Sequence, residues 1–200
     1  MQHITSAHSI VFLGLLPLST ALFGVLRGGE RPGVAFWIFS VTGSLLVAGF
    51  ALSQQASASL SGDLLMIAAV IVCGLGYAEG AKLTRTLGGW QVISWALILA
   101  LPMMLMAAFI TQPASFHAIR PQAWGALGYV ALFSMLIGFI FWYTGLAKGG
   151  TAAVGQLQLL QPFFGLLLSA TLLDEAVSPL MVFITLGVIA CVVGSRKFAR

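Results

Sequence analysis

Leu15-Leu16-Pro17 opens an apolar run that closes on Gly29-Glu30, and Leu160-Gln161-Pro162 opens another that closes on Asp174-Glu175. In both passages 13 residues separate the proline from the glutamate. Each is followed by a second proline, Pro32 or Pro179, and by a further apolar run that carries Gly43 or Gly187. The passage therefore occurs twice, about 145 residues apart. An internal repeat in an apolar chain is the mark of a membrane carrier built from two related halves.

Composition sets the solvent. Of the 200 residues 60% are hydrophobic and 7% charged, and the mean hydropathy is +1.04. A soluble domain carries roughly 25% charged residues, so this chain has too little polar surface to face water. Its apolar runs are as long as bilayer spans of about 17–25 residues. Seven are expected: A, 9–26; B, 34–52; C, 63–83; D, 90–110; E, 124–146; F, 151–173; and G, 179–194. The first eight residues lack the basic n-region of a cleaved signal peptide. The loops 53–62 and 111–122 are short and rich in Ser, Gly or Pro, and leave no room for a soluble domain. The reading is an all-α polytopic membrane protein with seven transmembrane helices.

Charge gives the orientation. With the N-terminus outside, the inner segments hold Arg27, Arg31, Lys82, Arg85, Lys148, Arg196, Lys197 and Arg200, whereas the outer segments hold Arg120 alone. Eight against one is a positive-inside bias, so the C-terminus is expected in the cytoplasm and the chain in the inner (plasma) membrane. The net charge of +4 is dispersed as span flanks and does not point to nucleic acid. Repeat copies A–B and F–G then run in opposite directions, since five spans separate A from F. That is an inverted-topology repeat. Residues 63–200 would form a complete five-helix unit, and 1–52 the last two helices of a preceding unit whose first three are missing.

Residues 128–194 resemble the C-terminal half of EamA-type members of the drug/metabolite transporter superfamily. The likeness rests on Trp142-Tyr143, the Leu146-Ala147-Lys148-Gly149 turn, Gln161-Pro162-Phe163, Leu173-Asp174-Glu175, Ser178-Pro179, Gly187 and Gly194. Pro17, Gly24, Gly29-Glu30 and Gly43 repeat that closing pattern. The resemblance implies a 5+5 inverted-repeat bundle of ten helices, of which this chain begins at the equivalent of the fourth. It also implies a secondary transporter exporting small metabolites or drugs by alternating access. The alternatives are a truncated or non-transporting fragment that needs a partner chain, such as a second copy in a homodimer, and a seven-helix receptor. A retinal protein would need a lysine within span G, which has none.

Candidate path residues follow from polarity on apolar spans. On an α-helical wheel Gly155, Gln158, Gln161, Pro162, Gly165 and Ser169 share one face of span F. That face serves either close helix packing or the solute. Pro162 removes one backbone hydrogen bond and can free a carbonyl toward a cavity. Span A keeps Thr20 on the matching face. Tyr77, Trp95, Trp142 and Tyr143 suit apolar, aromatic or cationic solutes, or an interfacial belt.

Glu79 lies 16 residues, about 24 Å, from the outer end of span C. It is either one half of an interfacial pair with Lys82 or a proton-coupling group near the inner mouth. No HExxH, GxSxG, phosphate-cradling loop or metal-ligand spacing occurs, so no enzyme, metal or cofactor is expected. Cys73 and Cys191 stand singly within apolar spans as packing residues, and His3, His8 and His117 fall in outer segments.

Overall fold

The computed structural model describes residues 14–53, 60–112, 119–161, 163–164 and 179–199, with the side chains of 51–61, 179 and 181 left aside. Among these every regular element is helical. α1 runs Leu16–Gly28, α2 Val34–Ser53, α3 Leu60–Leu87 and α4 Gly89–Ile110. α5, Pro121–Tyr129, passes through a π-helical stretch, Val130–Ile137, into α6, Gly138–Gly149. α7, Thr151–Gly155, passes into a 3-10 stretch, Gln156–Leu160, and α8 covers Pro179–Lys197.

Three of these are long and apolar enough to cross a bilayer: Gly62–Leu87, Gly89–Ile110 and the continuous Pro121–Gly149. Leu16–Gly28 and Val34–Phe50 are shorter apolar helices. Pro17 is tolerated in the first turn of α1, where its missing N–H would have no partner. α1 stops at Gly29, whose φ of 69° lets the amides of Gly29 and Glu30 both close onto the Gly24 carbonyl. Gly88 (φ 92°) and Gly150 (φ 90°) make the one-residue corners before α4 and α7. The corner expected within 146–149 falls at Gly150 instead, because Gly149 still continues α6.

The chain divides into two compact units, one made of 1–79 with 149–200, the other of 80–148. In the first, α2 packs along α8. The α2 stripe is Phe36, Ser40, Gly43, Ser44 and Val47; the α8 stripe is Val188, Cys191, Val192 and Ser195. Spacing of three and four residues places each set on one helix face. A side chain on Gly43 would come within 2.8 Å of Leu159 and 3.2 Å of Cys191. Small residues permit this approach, and in a bilayer close packing replaces the hydrophobic drive of water. Val47, Leu159, Phe163, Val188 and Val192 form the apolar centre of this unit.

In the second unit the outward residues of α4, and those of α5 beyond Gln122, are apolar, Phe109 and Ile110 being more than 70% exposed. A soluble protein could not leave such helices bare; acyl chains cover them at no cost. In the π stretch the Gly138 amide bonds the Phe133 carbonyl, five residues back.

Candidate functional site

Span F is where the backbone departs from α-helix. An α-helix would bond the amide of residue 162 to the Gln158 carbonyl, but proline has no N–H. The Gln158 carbonyl takes the Gln161 amide instead, three residues on, and Gln156–Leu160 tightens into 3-10 geometry. The residues then advance by about 120° rather than 100°, and the face drawn on an α-helical wheel splits. Gly155 is buried, Gln158 is half-buried and Gln161 is exposed. Pro162, Gly165, Ser169, Asp174, Glu175 and the three histidines lie outside the described residues.

The glutamine most enclosed is one the wheel left off that face. Gln156 is wholly buried, and neither end of its amide has a hydrogen-bond partner among the described residues. The same holds for the hydroxyls of Ser40 and Ser44 and for Nε2 of Gln158. Ser40 and Gln156 share a layer. On α2, Ser40 lies between Phe36, which clusters with Ala152, and Gly43, which meets Leu159; on span F, Gln156 lies between Ala152 and Leu159. A buried polar group without a partner costs about 1–3 kcal/mol. Four such residues in one unit are neutral donors or acceptors facing inward.

Thr20 is fully buried too, but its hydroxyl donates to the Leu16 carbonyl at 2.8 Å. Its methyl lies 3.0 Å from where a Cβ on Gly155 would stand, so this contact is close helix packing. Tyr77 packs beside Leu16 and Val70 in the same unit. In the other unit Tyr143 is buried, stands edge-on to Phe139 at 5.5 Å and lies directly against Gly80. Trp142 is half-buried, and Trp95 is exposed.

Two acids hold the turn after α1. Arg27 Nε donates to Glu79 Oε1, so the partner of Glu79 is Arg27 of another helix rather than Lys82 of its own. The Glu30 carboxylate accepts two backbone hydrogen bonds at the start of α7, from Thr151 at 2.6 Å and Ala152 at 2.8 Å. Gly24 leaves the room, since a Cβ there would sit 3.3 Å from Glu30 Oε2 and 3.2 Å from Thr151 Cβ. A carboxylate on helix-initial amides satisfies two orphan donors and opposes the helix dipole. The sequence offered Glu30 only as the end of a repeat; its contact is 121 residues away. Among the described residues no group of His, Cys, Asp and Glu could hold a metal.

The chain is similar in sequence to known proteins. The model of the EamA-like transporter family matches residues 60–196. The chain is 64% identical over 200 residues to a protein of Bacillus subtilis (strain 168) named uncharacterized transporter YdeK, spanning all of this chain and 70% of that relative. It is 22% identical to uncharacterized transporter YyaM of the same organism, across 97% of this chain and 64% of that relative. No solved structure matches. A family match over more than half of the chain, with a relative this similar, places it: the protein is a multi-pass membrane protein that belongs to the EamA-like transporter family.

Proposed function

We propose that the chain works as a secondary transporter, exporting small metabolites or drugs by alternating access, with the solute-facing polarity supplied by Gln156, Gln158 and the Ser40–Ser44 pair. One observation carries this: span F, tightened from α-helix into 3-10 geometry, presents a buried amide with no partner among the described residues. Non-helical backbone at membrane depth belongs where it borders a cavity or is buried in protein. A purely structural core would use leucine, which loses nothing by burial in this layer.

The remaining parts of the reading are seven spans with the N-terminus outside and the C-terminus in the cytoplasm. Segments 1–52 and 63–200 belong to two oppositely oriented repeats. Within the first unit Gln161, Tyr77 and Thr20 line or brace the path; Trp95, Trp142 and Tyr143 are the aromatic candidates of the second unit. Glu79, released from Arg27, couples proton entry to export.

The test is comparative export. Cells producing the wild type, Gln156→Leu or an empty vector are profiled for released metabolites. The expected result is at least one solute exported by the wild type and lost with Gln156→Leu, while the variant stays as abundant and as heat-resistant as the wild type. Equal export by Gln156→Leu would overturn the role of this layer. Release indistinguishable between wild type and vector across the metabolome and a drug panel would overturn the export reading.

A further inference from the structure

We propose that the corner between α3 and α4 is a binding site for a phosphate group. A pocket of about 460 Å³ opens there within the second unit, in the size range of small-molecule sites. It is lined by Thr84, Arg85, Gly88, Gly89, Thr144 and Lys148.

Three observations converge on an anion. The first is the start of α4, a helix of 22 residues whose cap residue, Gly88, has no side chain to cap it. The amides of Gly89, Trp90 and Gln91 precede the first bond of α4, from the Val92 amide to the Gly88 carbonyl, so the helix presents donors and the positive end of its dipole. The second is charge. Arg85 and Lys148 both line the pocket, and no acid does. A guanidinium offers a bidentate fork to phosphate oxygens, and an ammonium a compact point charge. The third is Thr84, only 8% exposed, whose hydroxyl has no hydrogen-bond partner among the described residues. A hydroxyl in that state lacks a ligand-side partner, and a phosphate oxygen supplies one.

The glycines explain how these groups meet. A side chain on Gly89 would come within 2.6 Å of Thr144 Oγ1 and 2.7 Å of the Ile140 carbonyl. Only glycine lets the start of α4 press against α6, and this brings its amides beside Lys148. Gly88, at φ 92°, makes the sharp entry that keeps Arg85 on the same rim. Thr144 spends its hydroxyl on the Ile140 carbonyl at 2.6 Å and so serves as wall. A phosphate group here comes from one of two sources: a phospholipid headgroup, since basic pockets between spans on the cytoplasmic side bind such groups, or a free phosphate or phosphorylated solute.

The experiment uses the full chain purified in a phosphate-free maltoside detergent. Hydrogen exchange at Gly89, Trp90 and Gln91 is followed while inorganic phosphate, or phosphatidylglycerol in mixed micelles, is titrated. Saturable slowing by inorganic phosphate supports the site and identifies a free anion. Slowing by phosphatidylglycerol alone supports it and identifies the lipid headgroup.

Arg85→Gln, Lys148→Gln and Thr84→Val each weaken binding by roughly tenfold, the loss expected for one hydrogen bond to a charged group. Lys82→Gln, one turn away and outside the pocket, leaves it unchanged. Should Thr84→Val fail to fold, the two rim variants carry the test. No slowing with either additive, or equal affinity in Arg85→Gln and Lys148→Gln, would overturn the assignment.

Discussion

Replacing Glu30 tests how the end of α1 and the start of span F are joined. The wild-type carboxylate accepts hydrogen bonds of 2.6 and 2.8 Å from the first two amides of α7. A hydrogen bond to a charged group contributes about 1.5–3 kcal/mol, and the half-buried setting of Glu30 argues for the lower end. Glu30→Gln keeps one acceptor but turns an NH2 donor toward a backbone donor, so a loss of about 2 kcal/mol is expected. Glu30→Ala removes both acceptors and the charge that opposes the helix dipole, for about 3 kcal/mol.

Two readouts follow from those figures. Denaturant unfolding in mixed micelles should show the stability loss, with Arg31→Gln as an exposed control that changes it by less than about 0.5 kcal/mol. Hydrogen exchange at Thr151 and Ala152 should quicken by roughly thirtyfold in Glu30→Gln, since 1.4 kcal/mol is a factor of ten. Exchange at those two amides within twofold of wild type would refute the clasp, whatever the global stability.

Other predictions follow from packing and pairing. Gly89→Ala should cost about 1–3 kcal/mol in thermal unfolding, because its Cβ meets a backbone carbonyl at 2.7 Å. Gly49→Ala, with nothing within 4 Å, should be neutral or stabilise α2 by up to about 1 kcal/mol in the same assay. Leu159→Ala, at the centre of the first unit's core, should lose about 2–5 kcal/mol on denaturant titration through the cavity it leaves. Glu79→Gln should change unfolding stability by less than about 1 kcal/mol, because its partner Arg27 is half exposed. Measured in proteoliposomes, it should also abolish pH-driven transport, and transport that keeps its pH dependence would remove Glu79 from the coupling role.

The sequence made the helices legible because charge-free apolar length is a one-dimensional signal. α2 and α4 begin within one residue of spans B and D and end within one residue of them. Span C is longer by a turn at its C-terminal end, since Lys82 and Arg85 extend their stems while remaining in the helix. Contacts between distant residues were not legible. Nothing in the order of residues couples Glu30 to Thr151 or Arg27 to Glu79. Gln156 stayed off the polar face for a different reason. The wheel assumed α geometry through span F, whereas Pro162 already carried the information that the carbonyl at 158 would lose its usual donor.

The π stretch has a consequence for span E. Each bond there closes over five residues instead of four, so the angular phase of the chain slips between Trp124 and Tyr143. Their relative bearing is then set by backbone slack rather than by their separation in sequence. Removing a single residue between Val130 and Ile137 would return the span to α-helix and turn everything beyond it by about 40°, since seven residues at about 100° would replace eight at about 82°. Tyr143 would leave Gly80, while the apolar surface that meets lipid would look unaltered. Span E therefore carries a phase shift that hydropathy does not register, and a one-residue deletion would be read by the packing of α6 long before it was read by the membrane.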